Sequence, residues 1–137
     1  MSATTKTVVK YIEAVGRRKE AVVRVRLTPA SKTTHTVNSK NLKDYFKLSS
    51  LIDLALRPLV IAKSPEHFTI SVHARGGGLA AQADAVALGL ARALVKTDQS
   101  LRALLKKEKL LAVDARQKER RKFGLKKARK APQWAKR

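Results

Sequence analysis

Hydrophobic and polar positions alternate over the first third of the chain and recur at helical spacing over much of the rest. Residues 8–27 predict two strands joined at a basic turn, Val15-Gly16-Arg17-Arg18-Lys19, with Gly16 supplying a positive φ. In the second strand Val23, Val25 and Leu27 fall on one face and Val22, Arg24 and Arg26 on the other, so one side packs and the other displays guanidinium groups. Pro29 closes it. A short strand is expected at His35 to Val37, then a helix opening at Asn38 or Ser39 that carries Leu42, Tyr45 and Phe46 inward.

A further helix is expected from Ser49 or Ser50, using Leu51, Ile52, Ala55 and Leu56 and ending before Pro58. Phe68 to Ala74 alternates as a central strand, with Phe68, Ile70, Val72 and Ala74 inward. Gly76-Gly77-Gly78 then feeds a long helix over about Leu79 to Val95. Ala83, Val86, Leu90 and Leu94 recur along it, and its scarce polar positions predict burial over most of its girth, across the sheet. Asp98 or Ser100 caps a shorter helix to about Lys107, and Leu110, Leu111 and Val113 supply the last core contacts.

The pattern stops at Ala115. The last twenty-three residues hold eleven Lys or Arg against the single acid Glu119, and only Phe123, Leu125 and Trp134 are large and apolar. So few apolar groups do not offset the entropy of ordering such a segment, so a tail over 115–137 is expected to order only on its partner. The whole chain of 137 residues has a formal net charge of +21. A charge of that size opposes compaction and calls for a dense anion. Nucleic acid is the first candidate; anionic membrane is second, because the tail lacks an apolar stripe and is interrupted by Gly124 and Pro132.

The length allows one domain of about 100–110 residues beside the tail. No Cys is present, which excludes disulfides, thiolate zinc sites and Cys nucleophiles. His35, His67 and His73 are scattered and lack acidic residues at ligand spacing, so neither a metal nor another cofactor is expected. The opening MSATTKTVVK lacks the apolar core of a signal peptide, and the reading is a soluble, intracellular protein.

The glycine run is followed by no Lys-Ser or Lys-Thr and fits no dinucleotide fingerprint, so it is read as a tight turn, a close backbone approach or an RNA phosphate contact. Neither a Gly-x-Ser-x-Gly elbow nor a Ser/His/Asp set stands out, so no enzyme is expected. The tail differs from an ordinary solvated charge run, because Phe123 and Trp134 add planar groups able to stack among its cations. A free nucleic-acid compactor is the alternative that composition alone supports; an ATP-binding enzyme would rest on the glycine loop alone.

Several blocks resemble the small-subunit ribosomal proteins of the universal S-nine family, in their bacterial-type form. They are Gly16-Arg17-Arg18-Lys19-Glu20-Ala21, Asp44-Tyr45-Phe46, the run from Gly76 to Leu94, and the stretch from Asp114 to Arg137 with its Lys-Ala-Arg-Lys-Ala-Pro-Gln near the end. The chain departs from that pattern at Ala81, at Val113 and at Trp134-Ala135.

The resemblance implies an α+β fold like the second domain of ribosomal protein S-five, a small β-sheet packed by helices with a left-handed βαβ crossover. Pattern reasoning alone favours the opposite hand. It implies a globular RNA-binding domain over 1–114 and an extended basic C-terminal tail over 115–137. As implied function, the chain is a structural constituent of the small subunit, cytoplasmic, bound in the head to the 3′ major domain of the small-subunit ribosomal RNA beside neighbouring head proteins, with no homo-oligomer. Candidate ribosomal RNA contacts are Arg17, Arg18, Lys19, Arg24, Arg26, Arg75, Gly76, Gly77, Gly78, Arg116, Lys118, Arg120, Arg121, Lys122, Lys126, Lys127, Arg129 and Lys130. Lys136 and Arg137 are the candidate contacts to tRNA in the peptidyl site.

Overall fold

The structure, a computed structural model, describes residues 10–63 and 67–136. The start of the first expected strand at Val8, and the terminal Arg137, lie outside the described residues. Nine elements follow in order: β1 (Ile12–Arg18), β2 (Ala21–Pro29), β3 (Thr34–Val37), β4 (Lys40–Asn41), α1 (Leu42–Phe46), α2 (Ser49–Ala62), β5 (Phe68–Arg75), α3 (Leu79–Thr97) and α4 (Leu101–Lys107). The fold is α+β, built on one five-stranded sheet ordered β1-β2-β5-β3-β4. β2 pairs antiparallel with both β1 and β5, and β3 runs parallel to β5, so the chain crosses from β3 to β5 through α1 and α2.

Alternation in β2 and β5 records burial on one side only. Val23, Val25 and Leu27 are buried together with Phe68, Ile70, Val72 and Ala74, while Val22, Arg24, His73 and Arg75 are exposed. α3 lies across the buried face against β1, β2 and β5, with thirteen of its residues buried, and α2 packs on its outer side. A buried Val or Leu contributes about 1.5–3 kcal/mol relative to exposure, so this single layer accounts for most of the apolar driving force.

Four expectations are corrected. Gly16 lies inside β1, and the positive φ at the β1–β2 turn falls on Lys19 (52°). Gly16 is required by close approach instead: a Cβ there would sit 1.8 Å from the Ala85 carbonyl oxygen of α3. Asn38 and Ser39 do not start a helix; at φ 47° and 66° they turn β3 back into β4, the geometry of a two-residue hairpin loop. The Asn38 side chain extends the β3–β5 ladder, accepting from Ala74 N and donating to Ala74 O, both at 3.0 Å. Asn41 is the cap of α1, its Oδ1 accepting from Lys43 N at 3.2 Å.

Pro58 does not end α2, which continues to Ala62. An interior Pro costs about 3 kcal/mol, but Leu51, Ile52, Leu54, Leu59 and Ile61 on either side of it pack against the core, and their burial outweighs that local cost. Val113, expected in the core, is half exposed, whereas Leu110 and Leu111 pack on it as expected and Leu105 is fully buried. Beyond α4 the chain forms neither helix nor strand to Lys136, with turns at residues 108–111 and turns and bends at residues 123–129.

Candidate nucleic-acid interface

The helices cover one face of the sheet and leave the other open. On that open face Arg17 of β1 stands opposite Val22 of β2, which stands opposite Arg75 of β5; one step along, Val15, Arg24 and His73 form the next row. Arg17, Arg24 and Arg75 are exposed. Arg26 shares the face but is engaged: its Nε donates to Glu13 Oε2 at 2.7 Å, and its guanidinium carbon lies 4.8 Å from the Tyr11 ring centroid. The Glu13 hydrogen bond raises the Arg26 pKa above its ordinary value. Arg24 makes only a long contact to the same carboxylate, its Nε lying 4.0 Å from Glu13 Oε1, and Arg17 and Arg75 have no carboxylate partner among the described residues. Three guanidinium groups without a hydrogen-bonded acid on an open β surface suit a phosphate backbone, since each offers a planar fork of donors.

Arg18 stands apart. The alternation of β1 turns it to the helix side, where its Nε lies 3.5 Å from Asp84 of α3 and its Nη1 3.1 Å from Asp114 at the start of the tail. The Nη1 contact is an ion pair without hydrogen-bond geometry, because Nη1 finds no hydrogen-bond acceptor among the described residues. A groove of about 230 Å³ passes here between Leu54, Leu88, Lys109 and Ala112. Arg18 is therefore placed to join the tail to the globular part rather than to the open face.

The glycine run closes the same end of the molecule. Gly76 and Gly77 take φ values of 72° and 64°, and a Cβ on Gly76 would lie 2.5 Å from the Glu20 carbonyl oxygen. The run is thus a strand-to-helix turn pressed on the β1–β2 turn, with Lys19 exposed beside it. Buried Gln82 ties it down: Nε2 donates to the Gly76 carbonyl at 3.0 Å and Oε1 accepts from the Tyr45 hydroxyl at 2.6 Å. A Cβ on Gly78 would meet nothing within 4 Å, so packing requires only the first two glycines.

The tail leaves through two contacts. Asp114 accepts from the Arg116 side chain at 2.8 Å and 3.0 Å, and Gln117 Nε2 donates to the Lys19 carbonyl at 3.2 Å. The Arg116 hydrogen bonds, its backbone amide included, hold the Asp114 carboxyl well below the usual carboxylate range. Lys122 and Arg129 donate to Glu119, the latter at 2.9 Å. Lys118, Arg120, Arg121, Lys126, Lys127, Lys130 and Lys136 have no carboxylate partner among the described residues, and Phe123 and Trp134 are exposed. The two sets of cations, one on the open face and one along the tail, are joined through the Lys19 turn.

Sequence reasoning missed the anchoring role of Arg18 and the side chains of α3 that guard the sheet edge. Arg92 Nη1 donates to the Val15 carbonyl at 2.8 Å and Lys96 Nζ to the Glu13 carbonyl at 2.6 Å. Their i, i+4 spacing on a helix already placed them on one face, but not which strand lay beneath. Among the described residues no group of His or acidic side chains suits a metal ion, and no helix is long and apolar enough to cross a membrane.

Residues 16–137 match the family described as ribosomal protein S9/S16. The chain is 48% identical over 128 residues to small ribosomal subunit protein uS9 of Chlorobium chlorochromatii (strain CaD3), covering 93% of this chain and 98% of that protein. Its counterpart in Chlorobium phaeovibrioides (strain DSM 265 / 1930) is 49% identical with the same coverage. That of Saccharopolyspora erythraea is 48% identical over 126 residues, 92% of this chain and 82% of the relative.

Proposed function

The chain belongs to the ribosomal protein S9/S16 family, and from that premise we propose that it binds small-subunit ribosomal RNA through its open sheet face and its tail. It is a structural constituent of the small ribosomal subunit and not an enzyme. Its partners there are ribosomal RNA and other ribosomal proteins.

In this reading the chain sits in the subunit head, on the 3′ major domain of the RNA. Residues 1–114 act as the globular unit and 115–137 as an extended arm. Lys136 and Arg137 at the tip contact the anticodon stem-loop of tRNA in the peptidyl site. The parallel β3–β5 pair linked through two helices supports a fold like the second domain of ribosomal protein S-five, and the left-handed crossover is part of that proposal.

The observation that carries the RNA reading is the separation of cations hydrogen-bonded to an acid from those that are not. Arg17, Arg24 and Arg75 on the open face lack a hydrogen-bonded carboxylate among the described residues, as do seven tail cations. Retention of the tail on a free nucleic-acid compactor would need no such division. A side-chain map of the assembled small subunit tests it. The open face and the tail should lie on RNA phosphates, with the tip at the peptidyl site. A solvent-exposed tail, or another protein covering Arg17, Arg24 and Arg75, would defeat the reading.

A further inference from the structure

Within the tail, one acid organises the cations around it. Glu119 receives Lys122 three residues on and Arg129 ten residues on, its Oε1 and Oε2 taking one donor each. Those two hydrogen bonds, the Lys122 one first, lower the Glu119 pKa. The backbone between them closes as well. Leu125 N donates to Lys122 O at 3.3 Å, Lys126 N donates to Lys130 O at 2.8 Å, and Gly124 takes a φ of 77°. Residues 119–130 are therefore a loop with a carboxylate at its neck. Arg120, Arg121, Lys126, Lys127 and Lys130 are exposed along it without a carboxylate partner among the described residues, and Phe123 stands fully exposed.

By charge counting alone, an acid in a polycationic arm weakens its hold on a polyanion. A loop closed before binding loses less conformational entropy when its side chains meet phosphates. We propose that Glu119 is a positioning residue that folds 119–130 into a preformed cationic loop, so that this acid raises the affinity of the tail for RNA. The inference rests on the reading of the tail as an RNA-binding arm, and it exempts residues 119–130 from the expectation that the whole tail orders only on its partner. It assigns Lys122 and Arg129 to the neck of the loop and leaves the phosphate contacts to the cations around its rim.

The two mechanisms predict opposite signs for one substitution. In the full chain, Glu119→Gln adds one net positive charge and removes both ion pairs at the neck. Binding to a transcript of the small-subunit ribosomal RNA should weaken by about threefold, the effect of two exposed ion pairs. The charge-swapped Glu119→Arg/Arg129→Glu double variant, whose net charge is unchanged, should recover much of the loss. The Lys126 amide, bonded to Lys130 O, should lose hydrogen-exchange protection in Glu119→Gln. Equal or tighter RNA binding by Glu119→Gln, or unchanged protection at Lys126, overturns the proposal. A Lys126→Gln/Lys127→Gln/Lys130→Gln variant separates the two levels. If it binds RNA as the wild type does, the RNA-binding reading of the tail falls and this proposal with it. If it weakens while Glu119→Gln tightens, only the positioning role fails.

Discussion

Gly16 and Gly89 face each other where β1 crosses α3, and neither has room for a side chain. A Cβ on Gly16 would lie 1.8 Å from Ala85 O and 2.7 Å from Gly89 N, both backbone atoms of the helix. A Cβ on Gly89 would lie 2.8 Å from Val25 Cγ2 and 3.2 Å from Gly16 N. The strand and helix thus touch backbone to backbone, which brings Arg92 and Lys96 within reach of the β1 carbonyl groups.

The two glycines should respond unequally. Gly16→Ala forces α3 off the sheet and is expected to cost about 3 kcal/mol, near the top of the overpacking range. Gly89→Ala meets chiefly one buried valine methyl and gains helix propensity of about 1 kcal/mol, so its net cost should be about 1 kcal/mol. Urea unfolding of both variants checks the order. Equal midpoints would mean that the strand and helix separate freely at this crossing.

The Gly16 contact also shows where sequence reading stops. Val23, Val25 and Leu27 were legible because a two-residue period records one-sided burial directly, and the long α3 was legible from its nearly continuous apolar surface. A turn at Gly16 satisfies a local rule, glycine before three basic residues, whereas its real constraint comes from a helix some seventy residues away. Pro58 and Asn38 fail in the same manner: tertiary packing carries α2 through the proline, and Asn suits both a helix cap and a left-handed turn. At the candidate interface, composition exposed the cations but not their division. Only coordinates distinguish Arg17, on the open face, from its neighbour Arg18, turned inward between two carboxylates.

That inward arginine is expected to hold the tail's exit. Arg18→Ala leaves Asp84 and Asp114 without their shared cation, and the melting temperature should fall by about 4 °C, the scale of one partly screened ion pair in a domain of this size. Arg18→Lys should restore little, since a single ammonium cannot reproduce a fork spanning two carboxylates. Amide exchange at Gln117 should rise in both variants. An unchanged melting temperature with unchanged exchange would show that the tail is held elsewhere.

His35 should make stability sensitive to mild acid. It lies beside Ile70 on the packed side of the sheet, its Nε2 buried without a hydrogen-bond partner among the described residues. Burial lowers its pKa below the ordinary value. The unfolded chain therefore takes up a proton first as the pH falls below about 6.5, and stability declines from there until the folded protein's lower pKa is passed. Melting temperatures at pH 7.5 and 5.5 should differ more for the wild type than for His35→Gln. An identical drop in both would assign the acid sensitivity to other groups.

The salt dependence of RNA binding should divide between the two cationic surfaces in proportion to their free charges. Each phosphate neutralised releases condensed counterions, worth about 0.7–0.9 in the slope of log affinity against log salt. Replacing Lys118, Arg120, Arg121, Lys126, Lys127 and Lys130 by Gln removes six unpaired tail cations, so the slope should fall by about 4–5. Replacing Arg17, Arg24 and Arg75 should remove about 2–3 more, additively, because the two surfaces share no partner. Arg18→Gln, by contrast, should leave the slope nearly unchanged, since its charge is directed at Asp84 and Asp114. Titrations of the full chain against small-subunit ribosomal RNA from low to moderate salt measure all three. A slope insensitive to the six tail substitutions would place the electrostatics on the globular part. A loss with Arg18→Gln as large as with Arg17→Gln would contradict the division between the faces of β1.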